Sequence, residues 1–271
     1  MQIQEQGWTH DFPLNPIIKK QYLVLKPKKN ESLYTCLLRE GGESIDNALT
    51  ITRTLASAPL ELTIVTFQGR IVGIERGDTR DSCYGVAVDI DTTTIVAQLV
   101  DLNSGRTMST ASMINPQFPL GSDVLSRIHY ARQESARIHE LASLLRNAVN
   151  ELIARLFKSV GTDLNHCYII SVAANTIMLH LFLGIDPQSL GCYPYRPVFL
   201  EALQCNASDL HIQASSFAVL QCLPGLSGFV GADISAGLLA LNLTDTKENI
   251  LFVDMGGVPM EKWQFLSMEG L

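Results

Sequence analysis

The chain has 271 residues, of which 46% are hydrophobic and 17% charged, so a sizeable core is available and global disorder is excluded. Lys and Arg total 20 against 27 Asp and Glu, a net charge of -7, and the cations form no run, so nucleic acid is not expected as a partner. The N-terminus lacks the layout of a signal peptide, and the longest apolar stretches, Ile177–Ile185 and Ile234–Leu241, are too short to span a bilayer. A cytoplasmic protein with no membrane partner is expected.

Residues 1–80 read as a linker followed by a small α+β middle domain. Pro13, Pro16 and Pro27 punctuate a polar opening in which Lys19, Lys20, Lys26, Lys28 and Lys29 surround the apolar run Tyr22–Leu25. A helix is expected from Ser44 to about Ser57, then a hairpin of Leu60–Phe67 and Arg70–Glu75 joined at Gln68-Gly69. The polar stretch Gly77–Asp81 marks a boundary.

From Tyr84 the pattern becomes that of a second, larger α/β domain. Gly85–Ile90 is a near-continuous apolar run, expected as a strand buried on both faces. Thr94–Val100 and Arg106–Ile114 are the next strands, turned by Asn103-Ser104-Gly105, which makes a β-meander. A long helical region begins near Ser122. Ile138, Leu141, Leu145, Val149, Leu152 and Leu156 fall at three- and four-residue steps on one helical face that ends by Gly161. Tyr168–Val172 is a strand, Asn175–Leu183 a helix, Val230–Leu241 a helix and Ile250–Asp254 a strand. Alternation of this kind indicates an α/β fold.

The string Asp89-Ile90-Asp91-Thr92-Thr93-Thr94 ends a strand in an acid and turns on small hydroxyl residues. Such a turn can aim backbone N–H groups and hydroxyls at a phosphate while the acid positions a hydrated Mg²⁺; it can equally be plain hairpin chemistry. A second strand ending in an acid, Leu251-Phe-Val-Asp254-Met-Gly256-Gly257, would face it.

The stretch from Tyr84 onward resembles the C-terminal ATPase domain of the reductive activators of corrinoid proteins, an actin-like (ASKHA, ribonuclease H-like) ATPase family. The resemblance is carried by Gly85–Thr94, Ala111-Ser-Met-Ile-Asn115-Pro-Gln117, Gly121-Ser-Asp123-Val-Leu-Ser-Arg127, Ser171–His180 with Gly184-Ile-Asp-Pro187, and Leu223–Asp233, in family order over residues 84–254. It implies an ATPase that drives electrons onto a corrinoid protein serving a methyltransferase. ATP and Mg²⁺ would be the cofactors, and a corrinoid iron–sulfur protein or corrinoid methyltransferase subunit the partner. A homodimer is a further expected arrangement. Asp89, Thr92, Thr93 and Thr94 correspond to the first phosphate loop, Asp254 and Gly256 to the second, Asp89 to the metal-bearing acid, and Asp233 to a further nucleotide or metal contact.

Three departures from the family pattern shape the expectation. The six cysteines contain no C-x-x-C and no ferredoxin spacing, so no iron–sulfur cluster is expected. Asp91 stands where the family has Gly; a like-charge pair at about 4 Å and an effective dielectric near 20 costs ~4 kcal/mol, roughly three decades of affinity, unless a metal bridges the charges. Finally, the second loop breaks off after Gly257. Codons compatible with Val258-Pro-Met-Glu-Lys-Trp-Gln, read in a shifted frame, can encode Ser-Asn-Gly-Glu-Met-Ala, which suggests a partial actin-like domain over 84–257 and an aberrant tail over 258–271.

The expectation is therefore a remnant activator impaired in ATP binding. The alternatives are a non-catalytic corrinoid-protein-binding module and a kinase-like phosphotransferase. Elsewhere, His180 reads as a packed, hydrogen-bonded histidine, and Asp123 with Arg127 as an i,i+4 surface pair or, alternatively, a partner or nucleotide contact. Asn115-Pro-Gln117 either lines the cleft or ends a strand. Asp233 either contacts a ligand or complements a helix N-terminus.

Overall fold

The computed structural model describes residues 14–42, 44–58 and 60–240, together with the short strand pairs at 250–251 and 266–267. Two sheets organise residues 14–240, a mixed α/β arrangement. The first contains β1 (Ile18–Val24), β2 (Ser44–Ile45), β3 (Glu61–Phe67) and β4 (Arg70–Arg76) in the order β1-β3-β4-β2. The expected hairpin is β3–β4, and its two turn residues, Gln68 and Gly69, both take positive φ, the conformation that matches strand twist in a two-residue loop.

The expected helix at Ser44–Ser57 is shorter. Ser44 and Ile45 pair in parallel with Arg70 and Ile71, and Asn47 adopts left-handed φ, so α2 starts only at Ala48 and ends at Leu55. A helix absent from the sequence reading, α1 (Leu33–Gly41), precedes it; the Ser32 side chain caps it by accepting from the Thr35 N–H, and Cys36 and Leu37 are buried on its inner side. Leu62 and Ile64 of β3 face these helices, whereas Val65 and Phe67 face the second sheet. The strand is therefore buried on both sides.

The second sheet begins with the expected meander, β5 (Tyr84–Ile90), β6 (Thr94–Asp101) and β7 (Thr107–Ile114). It continues with β8 (Cys167–Ala174) parallel to β5, and with β9 (Leu203–Asn206) and β10 (Val219–Cys222), two short strands that carry too few residues for a readable alternation. The order is β7-β6-β5-β8-β10-β9. On one face lie α3 (Val124–Gln133), α4 (Ser135–Val160) and α5 (Thr176–Leu183), packed on Val86, Val88, Ile90, Ile95, Ala97, Leu99, Ile170 and Val172. The predicted stripe on α4 is the buried one: Leu141, Leu145, Val149, Leu152 and Leu156 are all within the core. Extended backbone at Glu134 divides the long helical region in two.

β5 is not buried on both faces: Val86, Val88 and Ile90 are buried, but Ala87 on the alternate face is exposed and Asp89 half-buried. Side chains two apart share a face, so residues 85, 87 and 89 lie opposite the helical layer. The last described helix, α6 (Ala232–Ala240), packs against β8.

The two sheets meet through Ile18, Val65, Phe67 and Val72 on one side and Cys83, Tyr168 and Ile169 on the other. Within this apolar seam the Lys20 ammonium donates to the carbonyls of Thr79 and Ser82, and also to the Tyr168 hydroxyl. A lysine that composition assigned to a polar opening is thus an interior residue.

Candidate functional site

The candidate site is built on the link between β5 and β6. Residues Asp91–Thr94 form a tight turn in which four successive carbonyls each accept a hydrogen bond, three from the body of the protein and one across the turn itself. The Asp91 carbonyl accepts from Asn115 Nδ2 at 2.7 Å, and the Thr93 carbonyl from the Asn115 backbone N–H at 2.9 Å. The Thr94 carbonyl accepts from the Asp91 N–H at 2.9 Å, and the Thr92 carbonyl from Arg127 Nη2. In a planar trans peptide the C=O of one residue and the N–H of the next point in opposite directions. Holding these carbonyls therefore turns the N–H groups of Thr92, Thr93 and Thr94 away from the groups that hold them.

The Thr92 side chain is pinned as well. Asn175 Nδ2 lies 3.4 Å from Thr92 Oγ1, while Asn175 Oδ1 accepts from the Met178 N–H and caps α5. A hydroxyl that accepts from an amide keeps its own proton for a further acceptor. Gly231, just before α6, approaches this corner at backbone distance: a Cβ there would lie 2.5 Å from Asn175 Cα and 2.7 Å from the Ala174 carbonyl oxygen. Only glycine permits that contact. The turn, Asn175 and the start of α6 thus converge at the carboxyl ends of the parallel strands β5 and β8, where Asp89 is in register with Ala173. The chain leaves β5 towards one edge of the sheet and returns at β8 towards the other, the switch point at which open α/β sheets bind ligands.

Of the residues singled out in the sequence, Asp89, Asp91, Thr92, Thr93 and Thr94 lie at this corner, and each of the last four is half-buried. Asp233 sits in the first turn of α6, where its Oδ1 accepts from the Ile234 N–H at 2.9 Å. Asp254 and Gly256 lie outside the described residues. Asn115 and Gln117 prove to be interior residues: both are fully buried, and Gln117 links Arg127 to the Leu141 carbonyl.

Arg127 overturns its surface-pair reading. Asp123 is the exposed N-cap of α3, closing a capping box with Ser126, and makes no ion pair with Arg127. The arginine is 0% exposed because its position on α3 faces the sheet. Its guanidinium donates to the Gly121 carbonyl at 3.0 Å, to Gln117 Oε1 at 3.1 Å, to Met178 Sδ at 3.1 Å and to the Thr92 carbonyl. Burial lowers its pKa to about 10, still far above neutrality, so it stays charged.

His180 is the packed histidine the sequence suggests. Its Nδ1 bonds the Thr176 carbonyl at 2.7 Å and its Nε2 accepts from the Val198 N–H at 3.1 Å, which fixes the neutral tautomer; burial pushes its pKa down. Asn115, Arg127 and Asn175 were legible as types but not as turn-holders, because each acts on a segment far away in sequence.

Neutral donors on the Asp91–Thr94 turn suit phosphate oxygens, whereas the carboxylates of Asp89 and Asp91 suit a cation. Among the described residues no group of three or more His, Cys, Asp or Glu side chains is arranged to hold a metal by itself, so a cation here would need further ligands from phosphate or water. An open groove of about 740 Å³ along the outer side of α3, lined by Leu120, Leu125 and Tyr130 among others, is separate from the turn. No described helix is long and apolar enough to cross a membrane.

Comparison with known proteins gives this arrangement a family. The chain is 32% identical over 196 residues to the corrinoid activation enzyme RamQ of Eubacterium limosum, across 72% of this chain and 33% of that protein. It is 28% identical over 183 residues to a [Co(II) methylated amine-specific corrinoid protein] reductase of Methanosarcina barkeri, across 64% of this chain and 32% of that protein. A solved reductive activator for a corrinoid, iron–sulfur protein superposes with a TM-score of 0.78 at 29% identity, over 91% of this chain and 42% of that one. The chain spans about a third of the length of the curated relatives it matches. The model of the RACo middle region matches residues 84–246, the span of the six-stranded sheet and its helices, and the chain belongs to that family, the reductive activators of corrinoid proteins.

Proposed function

We propose that this chain serves ATP-dependent reductive activation of a corrinoid protein, with Asp91–Thr94 as a phosphate loop in the first lobe of an actin-like ATPase domain. The observation that carries the reading is the turn itself: three carbonyls tied back into the protein and a fourth tied across the turn, with the N–H groups of Thr92 and Thr93 turned away from those ties, at the carboxyl ends of β5 and β8. The strand–turn–strand–turn–strand opening followed by helices is the order in which the actin-like fold begins. ATP would supply the driving force; this chain's threonines would hold its phosphates, and Asp89 would hold the hydrated Mg²⁺. The electron donor would lie outside these six cysteines, of which four are buried and none is bonded to another.

The partner is proposed as a corrinoid protein of a methyltransferase system, in line with the names of both relatives. Isothermal titration of Mg·ATP into the wild type and Asp91→Gly tests the nucleotide reading. Binding by both, tighter in the glycine variant, supports it; no binding by either sinks it. A second reading, a docking module that does not turn over ATP, is favoured by the carboxylate of Asp91 in the loop, and predicts binding by the glycine variant alone.

A further inference from the structure

Arg127 is the largest fully buried side chain among the described residues, and its hydrogen-bond partners are two carbonyls, one amide oxygen and one thioether, all neutral. The Asp123 carboxylate acts on Arg127 only through space, and a buried cation with no carboxylate bonded to it is costly and is ordinarily paired or replaced. A hydrophobic residue would satisfy α3 packing at this position beside Ile128 and Ala131 without that cost. What a hydrophobic residue could not do is hold the Thr92 carbonyl.

That carbonyl is the one point in the turn fixed by neither Asn115 nor the hairpin itself. Fixing it sets the Thr92–Thr93 peptide plane and so turns the Thr93 N–H away from the guanidinium. The same contact leaves a full positive charge behind a segment that carries Asp89 and Asp91 on its flanks. Both effects favour an anion on the outer side of the turn, by orientation and by charge. The neighbouring Gln117 and Gly121 hold the guanidinium in place, which explains their burial.

We infer that Arg127 is the positioning residue of the Asp91–Thr94 loop, orienting the Thr92–Thr93 peptide and supplying from behind the positive charge that lets a polyphosphate bind beside two aspartates. The inference rests on the phosphate-loop reading for its ligand, but the turn geometry can be measured without one.

The experiment compares wild type, Arg127→Met and Arg127→Lys in the full chain, each first shown to be folded by far-UV circular dichroism. Amide exchange is read at Asp91 and Asn115, whose N–H groups close the turn, against Val88 within β5. Inorganic pyrophosphate and Mg·ATP are titrated separately. Arg127→Met is expected to speed exchange at Asp91 and Asn115 about tenfold relative to Val88, and to weaken both probes by about tenfold or more. Arg127→Lys keeps the charge and one donor, and is expected to recover about half of the lost binding free energy. Wild-type protein that binds neither probe sinks the phosphate-loop reading. Unchanged exchange at Asp91 and Asn115 in folded Arg127→Met sinks the present inference whatever the probes do, and so does probe affinity equal in wild type and Arg127→Met. Should Arg127→Met not fold, the lysine variant decides: exchange and affinity identical to wild type overturn the positioning role.

Discussion

Lys20 Nζ lies 2.7 Å from Glu75 Oε2 with only 1% of the lysine side chain exposed, and Tyr168 closes the pair by donating to Glu75 Oε1 at 2.6 Å. Lys20 is on β1 and Glu75 on β4, whereas Tyr168 belongs to β8 of the other sheet. The seam between the sheets is therefore polar at its centre and apolar around it, and the hydrogen bonds fix one relative placement where apolar contact alone would tolerate sliding.

Removing one partner from this pair leaves a buried charge uncompensated. Lys20→Met is expected to cost about 3–5 kcal/mol, read as a lower urea midpoint at unchanged slope. The double variant Lys20→Met/Glu75→Gln is expected to lose clearly less than the sum of the two single changes. Additive losses would mean the pair is not coupled.

Gly231 tests the corner where α6 meets β8. The three atoms nearest to a Cβ there, all within 3 Å, belong to backbone and cannot swing aside. Gly231→Ala is expected to cost about 1–3 kcal/mol and to disturb the Asn175–Thr92 contact, visible as shifted Asn175 side-chain amide resonances. Gly225→Ala, whose nearest neighbour is a leucine methyl at 3.4 Å, is the control and is expected to cost less than about 1 kcal/mol.

Asn115 uses both ends of its side-chain amide, donating to the Asp91 carbonyl of the turn and accepting from the Gln117 N–H at 3.0 Å. Asn115→Asp keeps the acceptor and replaces the donor by an oxygen facing an oxygen. The expected loss is at least about 1–3 kcal/mol, larger than for an aspartate introduced on the surface. Equal stability in wild type and Asn115→Asp would show that the turn is held by the hairpin alone.

The buried imidazole of His180 gives stability a pH dependence of known sign. Its folded pKa lies below the ordinary 6.5, because burial disfavours the charged ring. Unfolded chains therefore take up this proton first, so the contribution is complete above pH 6.5 and declines as pH falls below it, by at most about 1.4 kcal/mol per pH unit. Urea unfolding between about pH 7.5 and 5 should show this slope, and His180→Gln should flatten it. The Val198 amide, which donates to Nε2, should lose protection relative to its intrinsic exchange rate as the pH falls over the same range.

The chain announced its local structure. Two runs joined by a Gln-Gly turn gave the β3–β4 hairpin, three- and four-residue spacing gave the inner face of α4, and Asn175 and Gly184 bounded α5. The Asp-x-x-Thr-Thr-Thr string and the blocks following it located the corner at Asp89–Thr94 and the family of the chain. Periodicity and capping act over a few residues, and those ranges are written in the sequence itself. The left-handed Asn47 that shortened α2, and the four-residue strands β9 and β10, left too faint a local trace.

Tertiary structure decided the rest. Arg127 and Lys20 are both cations that composition places in water, and both are interior because distant segments bring them acceptors: Thr92 to the one, Glu75 and Tyr168 to the other. A charge is buried only where partners converge on it, and such convergence between residues 35 or 148 positions apart has no signature in a local pattern. Sequence by itself determined the β3–β4 hairpin, the β5–β7 meander, the helices α4 and α5 and the turn at Asp91–Thr94. Only the packing of β5 against β8, and of α3 behind the turn, decided which side chains hold that turn and which way its N–H groups face.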